Sequence, residues 1–182
     1  AGECHLPLWE KRFTQKVLPG KNVKFSSSPE ILKEANTIII CVPTPLNSAG
    51  RADHSIVEKV FETIKTYSKP SLVILESTVS PGFTREAGEK YFGSDLVSNG
   101  GSISLCFSPE REDPGNEEFS NVEIPKVLGG LTPLCLQRAS ELYMNVFNHV
   151  IKASALEAAE LCKVYENTFR AVNISFVNQL RN

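Results

Sequence analysis

Residues 72–82 read Leu72-Val-Ile-Leu-Glu-Ser-Thr-Val-Ser-Pro-Gly82: a short apolar run, a carboxylate, adjacent hydroxyls, then Pro-Gly before a helical stretch. The apolar part does not alternate with polar residues, which is how a strand covered on both faces reads. Strands of that kind belong to parallel sheets with helices on each side. The hydroxyls and the Pro-Gly turn then fall where strand gives way to helix.

Two further apolar runs extend the pattern, Thr37-Ile-Ile-Ile-Cys-Val42 and Ile103-Ser-Leu-Cys-Phe107. The first of them, like 72–75, lacks alternation and is expected to be covered on both faces. Helical segments lie between the strands. Ser28-Pro29 sets a cap before a proline at the first helical position, opening Pro29–Ala35. Ser55 and Glu58 have capping-box spacing ahead of an apolar stripe, Ile56, Val57, Val60, Phe61 and Ile64. Thr132-Pro133 opens a helix to about Val146, and Ser154 with Glu157 opens a last one that shows no stop signal before Asn182. Strand–helix alternation of this kind predicts an α/β fold, a doubly wound parallel sheet with right-handed crossovers. In such sheets ligands bind outside the carboxyl ends of the strands.

Composition narrows the function classes. The chain has 182 residues, 41% of them apolar, which excludes a disordered tail. Its formal net charge is −2 with Lys and Arg spread along the chain, so no electrostatic footprint marks nucleic acid or an anionic membrane as a partner. No apolar run approaches the ~20 residues of a membrane span, and no basic-then-apolar leader stands at the start. The cysteines Cys4, Cys41, Cys106, Cys135 and Cys162 are odd in number and form no CxxC, so no metal site is expected. Cys41 and Cys106 sit inside apolar runs as small hydrophobes. This is the usage of a reducing compartment, and a cytoplasmic protein is expected.

At the strand ends, Val42-Pro-Thr-Pro-Leu46 reads either as a rigid turn or as a hydroxyl presented to a cofactor on a stiff backbone. Ser77 and Thr78 can hold a cofactor group or a reacting water, or can serve as turn and cap. In Ser108-Pro-Glu-Arg-Glu-Asp-Pro-Gly115, Glu110 is the carboxylate nearest the strand end and suits general-base work or a substrate hydroxyl. Arg111 beside it suits a phosphate or carboxylate; a solvated charged loop explains the stretch equally well. On the last helix Glu160, Lys163, Asn167 and Arg170 share one side. The rest of its surface is largely apolar, so the helix is expected to be buried over much of its circumference, where a lysine and an asparagine need partners. The alternative is a solvated stripe with Glu160 and Lys163 as a surface pair.

Taken in order, VPTPLN (42–47), ESTVSPG (76–82), FSPERxxPG (107–115), KVLGG (126–130) and AExxKxxENTFRxVNI (159–174) resemble the UDP-glucose/GDP-mannose dehydrogenase family of nucleotide-sugar 6-dehydrogenases. The resemblance covers nearly the whole chain. SPER followed by PG, and ENTFR followed by VNI, are more similar to enzymes acting on UDP-N-acetylhexosamines (UDP-GlcNAc or UDP-ManNAc). Where UDP-glucose enzymes often carry a second glutamate, this chain has Pro114. The resemblance implies an incomplete Rossmann-like doubly wound parallel sheet over residues 1–152, lacking the family's first βαβ unit, followed over 153–182 by the start of a long central dimerisation helix. It also implies twofold oxidation of the sugar C6 alcohol to a carboxylate with two NAD⁺. Carried over by residue, Pro43, Thr44, Ser77 and Thr78 would line the NAD site. Thr78 and Glu110 would position water, and Lys163 and Asn167 would stabilise charge on oxygen at C6. Glu110, Arg111, Lys163, Asn167 and Arg170 would face the UDP-sugar.

Two departures accompany the match. No GxGxxG is present, and the chain ends before the family's glycine-flanked nucleophilic cysteine, so it reads as cut at both ends. Cys162 neighbours Lys163 and so points about 100° away around the helix, a packing position rather than a substitute nucleophile. Weak or no NAD binding is expected of the piece alone. A homodimer through the long helix is expected of the full-length protein. Two other readings stay open: a UDP-glucose or GDP-mannose enzyme, and a non-catalytic assembly module.

Overall fold

A computed structural model of the chain describes residues 24–110 and 123–181. The chain divides after Ile31. In the first unit the Ser28 carbonyl accepts the Ile31 N–H and the Ser28 hydroxyl accepts the Glu30 N–H, both at 3.4 Å. The segment that follows, Pro29–Glu34, is a 3-10 helix rather than the expected α-helix. At six residues it is too short to offset the cost of α-helix nucleation.

The second unit carries a five-stranded sheet in spatial order β1 (Thr37–Ile40), β2 (Leu72–Leu75), β3 (Ser104–Phe107), β4 (Lys126–Gly130) and β5 (Val150–Lys152). Its helices are α1 (Ser55–Tyr67), α2 (Phe83–Tyr91), α3 (Pro133–Tyr143) and α4 (Leu156–Arg181). β1, β2 and β3 run parallel, with Leu72 opposite Thr37 and Ser104, and β4 runs parallel to β5. The α/β expectation holds, with one difference in strand direction: β4 is antiparallel to β3, pairing Phe107 with Gly129. Its register sets Lys126 level with Glu110, so β4 begins at the edge where β1–β3 end.

Helices cover both faces. On β3, Leu105 lies against Gly88 of α2, while the next residue, Cys106, donates its thiol to the Cys135 carbonyl of α3 at 3.2 Å. Consecutive strand residues point to opposite faces, so α2 and α3 flank the sheet. The glycine pair of β4 repeats the arrangement. A Cβ on Gly129 would stand 2.8 Å from Ala159 of α4, and one on Gly130 would stand 2.5 Å from the Leu136 backbone nitrogen of α3. The missing side chains let both helices sit directly on the strand. α1 joins the α2 face, where Phe61 meets Phe92 at a ring-centroid distance of 5.4 Å.

Two burial expectations are corrected. β2 is buried at every residue, as its sequence implies, but β1 alternates: Ile38 and Ile40 are buried and Ile39 is 47% exposed. Among the described residues α3 packs against β2, β3, β4 and β5 without burying Ile39. The long helix is also less covered than its apolar sequence implies. Only Leu156, Ala159 and Glu160 are buried. Its 26 residues extend about 39 Å, whereas strands of 3–5 residues span about 10–17 Å, so the helix outruns the sheet.

Candidate active site

Side-chain hydroxyls bind the carboxyl edge of the sheet together. Ser77, buried just after β2, accepts the Val42 N–H at 2.9 Å and donates to the Ile40 carbonyl at 3.4 Å, joining the exits of β1 and β2. Ser108, buried just after β3, donates to the Val127 carbonyl at 2.8 Å and joins β3 to β4. The sequence reading singled out Ser77 and passed over Ser108, which sits inside the same charged stretch as Glu110. Beyond Val42, the exposed Pro43 and half-buried Thr44 lead into a compact loop. There the Asn47 side-chain oxygen accepts the N–H groups of Ala49 and Arg51, each at 3.0 Å.

The loop ends at α1 with a cap the sequence misassigned. The Asp53 carboxylate, not Ser55, caps this end, accepting the Ser55 N–H at 2.9 Å. That backbone bond holds the Asp53 carboxyl below its usual range. Glu58 does not close a capping box with Ser55; it pairs with Lys90 of α2 at 3.0 Å. Glu157, likewise, takes the Arg85 guanidinium at 2.6 Å. Thr132 does cap α3, accepting the Cys135 N–H at 3.2 Å.

α4 grips this edge at two points. Glu160 is fully buried, and its carboxylate accepts the N–H of Gly82 at 2.5 Å and of Thr84 at 2.8 Å. α2 starts at a left-handed Gly82 (φ 95°) with no side-chain cap of its own, so the distant glutamate supplies the missing acceptor. One turn on, the Lys163 ammonium donates to the Glu110 carbonyl at 2.5 Å. The surface pair of Glu160 with Lys163 is therefore set aside: each is drawn to a different partner on the sheet edge.

Under Glu110 lies a charged cluster that the sequence reading missed. Lys126 is 3% exposed, and its ammonium meets the carboxylates of Glu110 at 2.6 Å and Glu76 at 3.1 Å. The same ammonium lies 5.9 Å from the ring centroid of Tyr143 and 5.3 Å from that of Phe147. Glu76 also accepts the Tyr143 hydroxyl, and the Cys41 thiol approaches its other oxygen at 3.7 Å. Burial, then the Glu76 charge, pushes the Cys41 thiol up to about 11 and the Tyr143 phenol above its ordinary range. Cys41 is accordingly a protonated thiol and no nucleophile near neutral pH. The cluster floors a cavity of about 420 Å³ whose walls include Ile39, Leu142, Val146 and Phe147.

The expected site residues thus divide. Glu110 and Lys163 meet directly, and Pro43 and Thr44 follow the strand exit that Ser77 fastens. Thr78 is half-buried next to Ser77, and its hydroxyl has no partner among the described residues. Asn167 and Arg170 lie one and two turns beyond Lys163 and are exposed. Arg111 lies outside the described residues. Among the described residues no group of His, Cys, Asp or Glu could hold a metal ion, and no helix is long and apolar enough to cross a membrane.

Residues 4–147 match the NAD-binding domain of the UDP-glucose/GDP-mannose dehydrogenase family, and residues 157–182 match that family's central domain. Protein CapL of Staphylococcus aureus is 39% identical over 92% of this chain, which covers 40% of that relative. A UDP-N-acetyl-D-glucosamine 6-dehydrogenase of Salmonella typhi is 34% identical over 91% of the chain and 40% of the relative. The solved structure of a UDP-D-ManNAc dehydrogenase from Pyrococcus horikoshii superposes with a TM-score of 0.79 at 29% identity, over 97% of this chain and 42% of that one. The chain thus spans about 40% of the length of the relatives it matches. Matched by the family's NAD-binding domain over most of its length and by its central domain beyond, this chain belongs to the UDP-glucose/GDP-mannose dehydrogenase family.

Proposed function

We propose that the chain is the part of an NAD-dependent UDP-sugar 6-dehydrogenase that carries the later strands of the nucleotide domain and the start of the central helix. The whole enzyme would oxidise the C6 alcohol of a UDP-N-acetylhexosamine to a carboxylate. The observation that carries this reading is the meeting of Lys163 from α4 with Glu110 at the end of β3. Through the Glu110 backbone carbonyl it brings, at a predicted ligand edge, a cation able to stabilise oxygen charge beside a residue whose carboxylate can take a proton.

The residues present fit part of a dinucleotide. The Ser77 bond to Val42 holds the two strand exits side by side, and the uncommitted Thr78 hydroxyl stands next to them. Pro43, Thr44, Ser77 and Thr78 would line that side, and the bound cofactor supplies the acceptor for hydride from C6. Lys163 spends one ammonium proton on the Glu110 carbonyl and keeps two donors for the oxygen at C6. The Asn167 amide adds another donor to the same helix face. Thr78 and Glu110 orient the water that enters in the second half of the reaction, and the Glu110 carboxylate accepts its proton. Arg111 and Arg170 serve the phosphates of the substrate.

Exposed aromatics along α4, Tyr165 at 69% and Phe169 at 64%, support a homodimer built on this helix. They also keep the non-catalytic assembly module in view. Free thiols at Cys41, Cys106, Cys135 and Cys162 support a reducing, cytoplasmic setting. Assaying the full-length protein with UDP-GlcNAc, UDP-ManNAc, UDP-glucose and GDP-mannose tests the reading. NADH production with an N-acetylhexosamine is expected; production only with UDP-glucose or GDP-mannose would move the substrate class. The chain alone is expected to bind NAD⁺ weakly or not at all in titration calorimetry. A stable, discrete dimer of this chain in sedimentation, beside a full-length protein inert toward all four sugars, would favour the module.

A further inference from the structure

Lys126 opens β4, level with Glu110 across the antiparallel pair. A lysine this deeply buried must be paired, because an isolated ammonium in the interior is costly. One carboxylate would suffice, and Glu76 supplies it from a position already held by the Tyr143 hydroxyl and the Cys41 thiol. Yet the shorter of the two contacts goes to Glu110, whose side chain is half exposed at the carboxyl edge. Glu110 is thus held twice: its carbonyl by Lys163 from the helix, and its carboxylate by Lys126 from the sheet.

We propose that Lys126 is a positioning residue for the reaction of this site: it pins Oε2 of Glu110 so that the carboxylate works from one place in its ionised form. This rests on the role given to Glu110 above. Among the described residues, the groups that bear on the Glu110 carboxyl include Lys126 of β4, Glu76 after β2, Lys163 of α4, Tyr143 of α3 and Cys41 after β1. Lys126 and Lys163 favour its ionised form, Glu76 opposes it, and Tyr143 and Cys41 are neutral near pH 7 and act on it through Glu76. Removing the nearer cation leaves two carboxylates facing each other, so Glu110 protonates more readily.

The test reads Glu110 directly. In the 182-residue chain, carbon-13 NMR of labelled glutamate carboxyls follows its titration. Lys126→Met raises the Glu110 midpoint by about one pH unit or more, and Lys126→Arg restores it. Glu76→Gln, which keeps Lys126, lowers the midpoint and remains informative if Lys126→Met does not fold. In the full-length enzyme Lys126→Met moves the acidic limb of kcat/KM upward by a similar interval. It loses about tenfold in kcat per unit below that limb with little change in KM for the nucleotide sugar. A folded Lys126→Met chain with an unmoved Glu110 midpoint overturns the proposal, as does a Glu76→Gln chain in which that midpoint stays put. A Lys126-dependent midpoint in a full-length protein inert toward every nucleotide sugar would sustain the contact and overturn the functional reading instead.

Discussion

Glu160 carries the most exacting structural prediction. Its carboxylate is fully buried and accepts two backbone N–H groups at the start of α2, from Gly82 and Thr84. Hydrogen bonds to a charged group contribute about 1.5–3 kcal/mol each, so the pair is worth roughly 3–6 kcal/mol before desolvation is counted. Burying the carboxylate opposes this by several kcal/mol. Glu160→Ala removes that penalty but leaves two amide donors without an acceptor, at about 1–3 kcal/mol each. The net loss should lie near 2–4 kcal/mol, a large share of the ~5–15 kcal/mol by which domains are stable. Glu160→Gln keeps one acceptor and turns an amide NH₂ toward the other donor, so its loss should be similar or somewhat smaller. Urea unfolding of the chain at neutral pH, followed by circular dichroism, measures both variants. Amide exchange at Gly82 and Thr84 should accelerate in step. Glu160→Ala within about 0.5 kcal/mol of the parent, with unchanged protection at those amides, would refute the reasoning.

Other expectations follow from single contacts. Gly130→Ala would set a Cβ 2.5 Å from the Leu136 backbone nitrogen and should cost about 1–3 kcal/mol in urea unfolding; a neutral effect would mean α3 does not rest on β4 there. Cys41, pushed up to about 11, should show an iodoacetamide rate that climbs about tenfold per pH unit with no plateau by pH ~10. Glu76→Gln should lower that midpoint, and a plateau near the ordinary cysteine value of about 8.5 in the parent would contradict the contact. The Arg85 hydrogen bond holds the Glu157 carboxyl below its usual range, so the pair's contribution is present above the unfolded carboxyl value and is lost as pH falls through the folded one. Both side chains are more than a third exposed, so Glu157→Gln should cost under about 1 kcal/mol at neutral pH. That difference should vanish in acid; one that persisted there would point to packing rather than charge.

Much of the fold was legible because burial leaves a mark on composition. Leu72–Leu75 carries no polar residue and is buried at every position. β4 and β5 left no such mark. Two of the five residues of β4 are glycines chosen for helix contact, and β5 has three residues, two of them exposed. Strand direction leaves no trace in composition either, so the antiparallel β4 had to come from the structure. β1 read like β2 and yet leaves Ile39 unburied among the described residues, since a strand's residues do not say how far its neighbouring helix reaches. The positions of Glu110 and Ser77 at strand ends and of Lys163 on a helix face were legible; their roles belong to the proposed function. Lys126 was not, because nothing local separates a buried lysine from a surface one until its partners, Glu76 and Glu110, arrive from elsewhere in the chain. Glu160 was placed on its helix face, but its partners, the N–H groups of Gly82 and Thr84, stayed out of reach of the sequence for the same reason.

In the proposed function, Lys163 faces oxygen charge at the sugar C6 on the edge that Glu110 and Thr78 share. Steady-state kinetics of the full-length protein with a UDP-N-acetylhexosamine, parent against Lys163→Ala, is the decisive measurement. The expected result is a kcat lower by roughly 10²–10³ with KM changed only a few-fold, the mark of a donor that acts mainly in the transition state. A Lys163→Ala enzyme that turns over like its parent would contradict it.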